Sequence, residues 1–161
     1  MRQRISKRNR MEISFPNLPE NEMTGRCAAA VFAAVLDPTM EELNDFKTAV
    51  SEAITNAIIH AYPGSEGMIS LRLEREDRRV LVTVTDQGVG IQDIERSMQP
   101  LYTTVTDGER SGMGFTFMEA FTDDLEVISS PGQGTRVILS KTMGPAGRDP
   151  VEEGDDSGPY L

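Results

Sequence analysis

Apolar residues recur along this chain with two periods, and the switches between them outline the elements. Met11-Glu12-Ile13-Ser14-Phe15 alternates with period two and predicts a short strand. From about Glu20 to Leu36, Met23, Cys27, Val31 and Val35 recur every fourth residue with Phe32 and Leu36 alongside, the mark of an amphipathic helix with these residues on its apolar face. Pro38 stops it. Thr39 followed three residues later by Glu42 is a capping-box signature. It opens a second helix whose stripe of Leu43, Phe46, Val50, Ile54, Ala57, Ile58 and Ala61 runs to Pro63-Gly64.

Period two returns at Met68–Glu76, where Ile69, Leu71 and Leu73 alternate with Ser70, Arg72 and Glu74. Asp77-Arg78-Arg79 turns the chain into a second strand, Val80–Thr85. A polar stretch from about Gln92 to Ser111 has no clear period, and a connection this long in a compact domain suits a lid or disorder. A helix from about Met113 to Phe121 follows. Two strands, Leu125–Ser129 and Thr135–Ser140, are joined by a Pro131-Gly132-Gln133-Gly134 turn. The pattern predicts an α+β two-layer sandwich: a mixed, mostly antiparallel sheet of about five strands with about three helices on one face.

Charge divides the chain further. Residues 1–10 sum to +5 and form a basic N-terminal extension, whereas residues 144–161 sum to −4 and carry three Pro and four Gly, the composition of a disordered tail. The body, 11–143, carries the rest of a net charge of −10, which argues against nucleic acid as the main partner. One Cys and one His make a conventional zinc site a poor expectation, and a single thiol suits a reducing cytoplasm. No apolar run reaches the roughly 18–20 residues that span a bilayer, so no membrane association is expected.

Three patches carry candidate chemistry. Glu52 and Asn56 lie four apart on the second helix, roughly opposite its apolar stripe, and are either a solvated polar face or a carboxylate and a carboxamide facing one cleft. An amide oxygen is a hard ligand suited to Mg²⁺, and a carboxylate can accept a proton. Asp86-Gln87-Gly88-Val89-Gly90 is either a plain turn or a base pocket. There the carboxylate accepts a hydrogen bond from an exocyclic amino group, and the Gly residues admit a flat ring. Arg110-Ser111-Gly112-Met113-Gly114-Phe115 leads into a helix, where free N–H groups and the dipole favour an anion. No Gly-Lys pair occurs, which excludes a Walker-type phosphate loop.

In this order the patches resemble the N box and glycine boxes of the GHKL superfamily of ATP-binding proteins (gyrases, histidine kinases and MutL among them), with a Bergerat-type fold. Leu36-Asp37-Pro38-Thr39-Met40, Ser51 through His60, Gln99-Pro100-Leu101 and Glu109 through Phe115 resemble more narrowly the anti-sigma F factor family of spore-forming bacteria, stage II sporulation protein AB. That resemblance implies an ATP-dependent serine protein kinase. It would work as a cytoplasmic homodimer, hold sigma factor F inactive and phosphorylate an anti-anti-sigma factor. It implies Glu52 as general base and Asn56 as the Mg²⁺ ligand. Asp86 would take the adenine amino group, helped through water by Thr135, with Gly88 and Gly90 shaping the pocket. Thr103, Thr104, Arg110, Ser111, Gly112, Met113, Gly114 and Phe115 would belong to the lid over the phosphates of ATP or ADP, and Arg26 and Glu22 would meet protein partners. After Thr103-Thr104 the family reads Lys-Pro, where this chain has Val105-Thr106. A related general-stress anti-sigma kinase and a non-catalytic, nucleotide-gated sequestering module are the competing readings.

Overall fold

Thr39 and Glu42 do what their spacing predicts: the Thr39 hydroxyl accepts from the Glu42 N–H at 3.1 Å and the Glu42 carboxylate accepts from the Thr39 N–H at 2.8 Å. In the computed structural model, which describes residues 8–100 and 114–145, this box opens the longest helix. The elements run β1 (Asn9–Pro16), α1 (Asn21–Ala34), α2 (Met40–His60), β2 (Met68–Glu76), β3 (Arg79–Asp86), α3 (Ile94–Ser97), α4 (Gly114–Phe121), β4 (Asp124–Ser129) and β5 (Thr135–Thr142). The single-turn α3 arises inside the stretch that lacks apolar period, where the Asp93 side chain caps the Arg96 N–H at 3.0 Å. No helix among the described residues is long and apolar enough to cross a membrane.

The five strands form one sheet in the order β1-β2-β3-β5-β4. Each of its four pairings is antiparallel, so the mixed character allowed for by the sequence is absent among the described strands. Ile69, Leu71 and Leu73 of β2, Val80, Val82 and Val84 of β3, and Val137 and Leu139 of β5 are buried on one face. The helices cover that face, with Phe46, Val50, Ile54 and Met118 completing the core. Residues of the opposite parity, such as Ser70, Arg72, Thr83 and Thr85, stay partly accessible, which is the one-sided burial that alternation encodes. β1 begins at Asn9, where Arg10 and Glu12 alternate without an apolar signal, and Arg8 pairs with Glu76 just before it.

On α1 the structure keeps Phe32 and Leu36 of the expected apolar set buried but turns its four-residue stripe outward. Met23, Cys27, Val31 and Val35 are exposed, Val31 to 72%, and the buried residues are Gly25, Ala29, Phe32 and Ala33. Gly25, Ala29 and Ala33 share the same four-residue spacing, and their small side chains let α1 sit close on α2. A Cβ at Gly25 would lie 2.7 Å from Ile54 Cδ1. The close approach buries small side chains and turns the larger stripe outward. Phe32→Ala should therefore cost about 3–5 kcal/mol against about 1 kcal/mol for the cap variant Thr39→Ala. Urea unfolding measures both, and a smaller loss for Phe32→Ala would contradict the buried face.

Candidate functional site

The site is assembled at the two ends of the last turns of α2. Glu52 and Asn56 are half-buried there, not fully solvated as a polar helix face would be. Gly114, the first residue of α4, sits directly over them: a Cβ on it would lie 3.0 Å from Glu52 Oε2 and 3.4 Å from the Asn56 amide nitrogen. The structure thus brings two of the sequence-predicted patches together, a carboxylate and a carboxamide against the beginning of a helix. Phe115, the next residue, packs partly buried against the core and anchors that helix start. Thr103, Thr104, Arg110, Ser111, Gly112 and Met113 lie outside the described residues.

One and a half turns further along α2, about 7.5 Å by helical rise, Ala61 meets the third patch. Asp86 is the last residue of β3 and is 5% exposed. Its Oδ1 accepts the N–H groups of Gly88 at 2.9 Å and of Thr135 at 3.2 Å. Burial pushes this carboxyl above its ordinary value, and the two N–H contacts oppose the push without cancelling it. Gly88 lies so close to Ala61 that a Cβ would fall 2.0 Å from the Ala61 carbonyl oxygen, and the Val89 N–H donates to the same oxygen at 2.9 Å. Only a residue without a side chain permits that backbone contact. Gly90 has φ of 72° and its Cβ position lies 2.0 Å from the Ser130 carbonyl. Both Gly residues are thus required by the turn itself.

The turn is tied on its other side to the β4–β5 connection. Gly132 N–H donates to Val89 O at 2.7 Å and Gly134 N–H to Gly88 O at 3.0 Å. The Ser129 hydroxyl accepts from the Ile91 N–H at 2.8 Å and lies 2.8 Å from the Thr135 hydroxyl. Thr135 therefore reaches Asp86 directly through its main chain, and its hydroxyl engages Ser129. The pattern reading passed over Ser129, Tyr62 and the Ala61 carbonyl. A lone hydroxyl at a strand end, a Tyr after a helix and a main-chain oxygen carry no periodic signal.

Glu22 and Arg26 sit together at the α1–α2 junction. Arg26 Nε lies 3.0 Å from Glu22 Oε1, and the Ser51 hydroxyl donates to that same oxygen at 2.6 Å. The half-buried Glu22 carboxylate therefore braces α1 against the residue preceding Glu52.

This sheet, with helices on one face and a buried Asp at the end of its central strand, defines a class. The model of the histidine kinase-like ATPase domain matches residues 15–141. The chain is 56% identical over 139 residues to an anti-sigma F factor of Pasteuria penetrans, covering 85% of this chain and 93% of that relative. It is 51% identical over 137 residues to one of Bacillus licheniformis (84% and 94% covered) and 50% over 133 residues to one of Clostridium acetobutylicum (83% and 93%). By these matches the chain belongs to the anti-sigma F factor family. Among solved structures it is similar in fold to the RsbU and RsbW domains of a Mycobacterium tuberculosis protein. That match has a TM-score of 0.61 at 20% identity, over 84% of this chain and 32% of that one. It is also similar to the mycobacterial sensor histidine kinase MprB, with a TM-score of 0.53 at 16% identity, over 85% of this chain and 99% of that one.

A carboxyl whose folded pKa is raised favours the fold fully below its unfolded pKa and loses that contribution as pH rises to the folded value. Asp86→Asn removes this dependence. Relative to wild type, the Asn variant should gain stability as pH rises from the ordinary carboxylate range and then level off above the raised value, read by urea unfolding across pH. A difference that is flat across that range would show that Asp86 titrates normally.

Proposed function

We propose that the two ends of this site hold one nucleotide, the base at Asp86 and the phosphates at Asn56, and that the chain is a serine protein kinase as well as an anti-sigma factor. The observation that carries the reading is the convergence of Glu52, Asn56 and Gly114 on the same helix that holds the Asp86–Gly88 turn through Ala61. Asp86 presents a buried acceptor whose Oδ1 is already occupied by main-chain N–H groups, which orients Oδ2 for an exocyclic amino donor. Gly88 and Gly90 let the turn that carries this acceptor pack against the Ala61 and Ser130 carbonyls, and Thr135 flanks the acceptor.

At the other end the donor set fits a hydrated magnesium ion. Asn56 offers a neutral hard oxygen, and no cluster of three or more His, Cys, Asp or Glu occurs among the described residues, so phosphate and water oxygens would complete the shell. When bound, the ion would supply charge neutralisation on the triphosphate. Asn56 would hold it, and Gly114 and Phe115 at the start of α4 would form the inner edge of the lid, with Thr103, Thr104, Arg110, Ser111, Gly112 and Met113 supplying the rest. Glu52 takes the proton of an incoming serine hydroxyl as its oxygen attacks the γ-phosphorus; the bond to the bridging oxygen breaks and ADP leaves.

The partners in this reading are sigma factor F and its anti-anti-sigma factor, met by a homodimer in the cytoplasm through surfaces that include Arg26 and Glu22. A net charge of −10 suits basic protein segments and disfavours nucleic acid. The test is incubation with labelled ATP, Mg²⁺ and the anti-anti-sigma protein. Label is expected on a serine, and its absence would leave a nucleotide-gated sequestering module. Glu52→Gln should slow transfer by about 10²–10⁴-fold while keeping Mg·ATP affinity within about twofold; near-normal turnover would remove Glu52 as base. Asn56→Ala should abolish the magnesium-dependent part of ATP affinity, measured by calorimetry with and without chelator.

A further inference from the structure

Tyr62 stands just past Ala61 at the end of α2, and its phenol spends its hydrogen-bonding capacity on the main chain of β2 and of the turn that follows β3. The hydroxyl donates to the Met68 carbonyl at 2.6 Å and accepts from the Gln87 N–H at 2.8 Å. Its ring lies against Gly67, where a Cβ would fall 2.3–2.4 Å from the ring carbons, so the phenol is seated by a residue that leaves room for it. The N–H it holds belongs to the residue between Asp86 and Gly88. The ring itself packs partly against the core, which fixes the hydroxyl relative to α2 and the sheet together.

We propose that Tyr62 is a positioning residue for the base end of the nucleotide site, setting where the Asp86–Gly88 turn stands relative to α2. The inference rests on the nucleotide reading above. The Ala61 carbonyl grips Val89 on the far side of Gly88, and Tyr62 grips Gln87 on the near side. With both grips in place the Asp86 acceptor has one position along the helix that carries Asn56. Without the hydroxyl the near side of the turn is free to shift, and the acceptor moves off the line that a base of fixed length from its phosphates requires. Glu52 and Asn56 lie inside α2, upstream of Tyr62, and keep their own backbone bonds.

Tyr62→Phe removes the hydroxyl alone, and Gly67→Ala displaces the ring from the other side, so two independent lesions should converge. In each, calorimetry with Mg·ATP should show Kd raised about three- to tenfold, the range one lost hydrogen bond produces. The melting temperature should fall by about 2–6 °C for Tyr62→Phe, the cost of one hydrogen bond, and further for Gly67→Ala, where the ring must move. Amide exchange should quicken at Gln87, Gly88 and Val89 and stay unchanged from Glu52 to Asn56, a contrast that general loosening would not produce. An unchanged ATP affinity in the folded variants, or exchange that quickens equally through α2, overturns the proposal, as does loss of folding in both variants. Wild-type protein that binds no Mg·ATP overturns the nucleotide reading itself, and is told apart because it appears before any substitution is made.

Discussion

The contact between the Ala61 carbonyl and the backbone of Gly88 and Val89 is the constraint on which the rest of the molecule turns. It joins the end of the longest helix to the turn that leaves the central region of the sheet, and it does so main chain to main chain. Such a joint has none of the rotamer freedom of a side-chain contact, so it fixes the far side of the turn on the helix, while Tyr62 holds the near side at Gln87. Everything that faces the site is placed relative to this joint. Asn56 and Glu52 stand about one and a half and two and a half turns back along α2. Asp86 stands two residues before the joint on β3.

Around it the structure adds fastenings rather than bulk. The capping box sets where α2 begins, and the buried face of α2 against β3 and β5 sets how it lies on the sheet. The β4–β5 connection closes over the same turn through Gly132, Gly134 and Ser129. The result is a turn fastened on both sides by hydrogen-bonded main chain, with Asp86 at its start. That suits a carboxylate held by burial above its ordinary pKa, because the acceptor is oriented by two N–H groups while remaining poorly solvated. The Glu22 carboxylate, shared between Arg26 and Ser51, carries the same economy to the other side of α2: the Glu22–Arg26 pair on α1 is one hydrogen bond away from Ser51, the residue next to Glu52.

Much of this was legible in the residues themselves. The strands announced themselves wherever one parity was Val, Leu or Ile, and β2 has the bounds its alternation predicts. The α2 stripe is buried as its spacing indicates, apart from the partly accessible Leu43. The apolar stripe of α1 misled because pattern weighs size: Met, Cys and Val outrank Gly and Ala on any hydrophobic scale, yet close helix packing selects the small ones. The short α3 was hidden for the opposite reason, since a single capped turn has too few residues to show a period.

Local chemistry determined the elements, the cap, the two Gly-rich turns and the identities of the acid, the amide and the buried Asp, because each depends on residues within one turn or one strand of each other. Only tertiary structure decided that Gly114 stands over Glu52 and Asn56, that Thr135 reaches Asp86 through its N–H, and that Tyr62 and Ser129 hold the turn. Those contacts join residues tens of positions apart, through main-chain groups that every residue possesses. Nothing in the order of side chains marks which of those groups will meet until the sheet is closed and the helices are laid upon it.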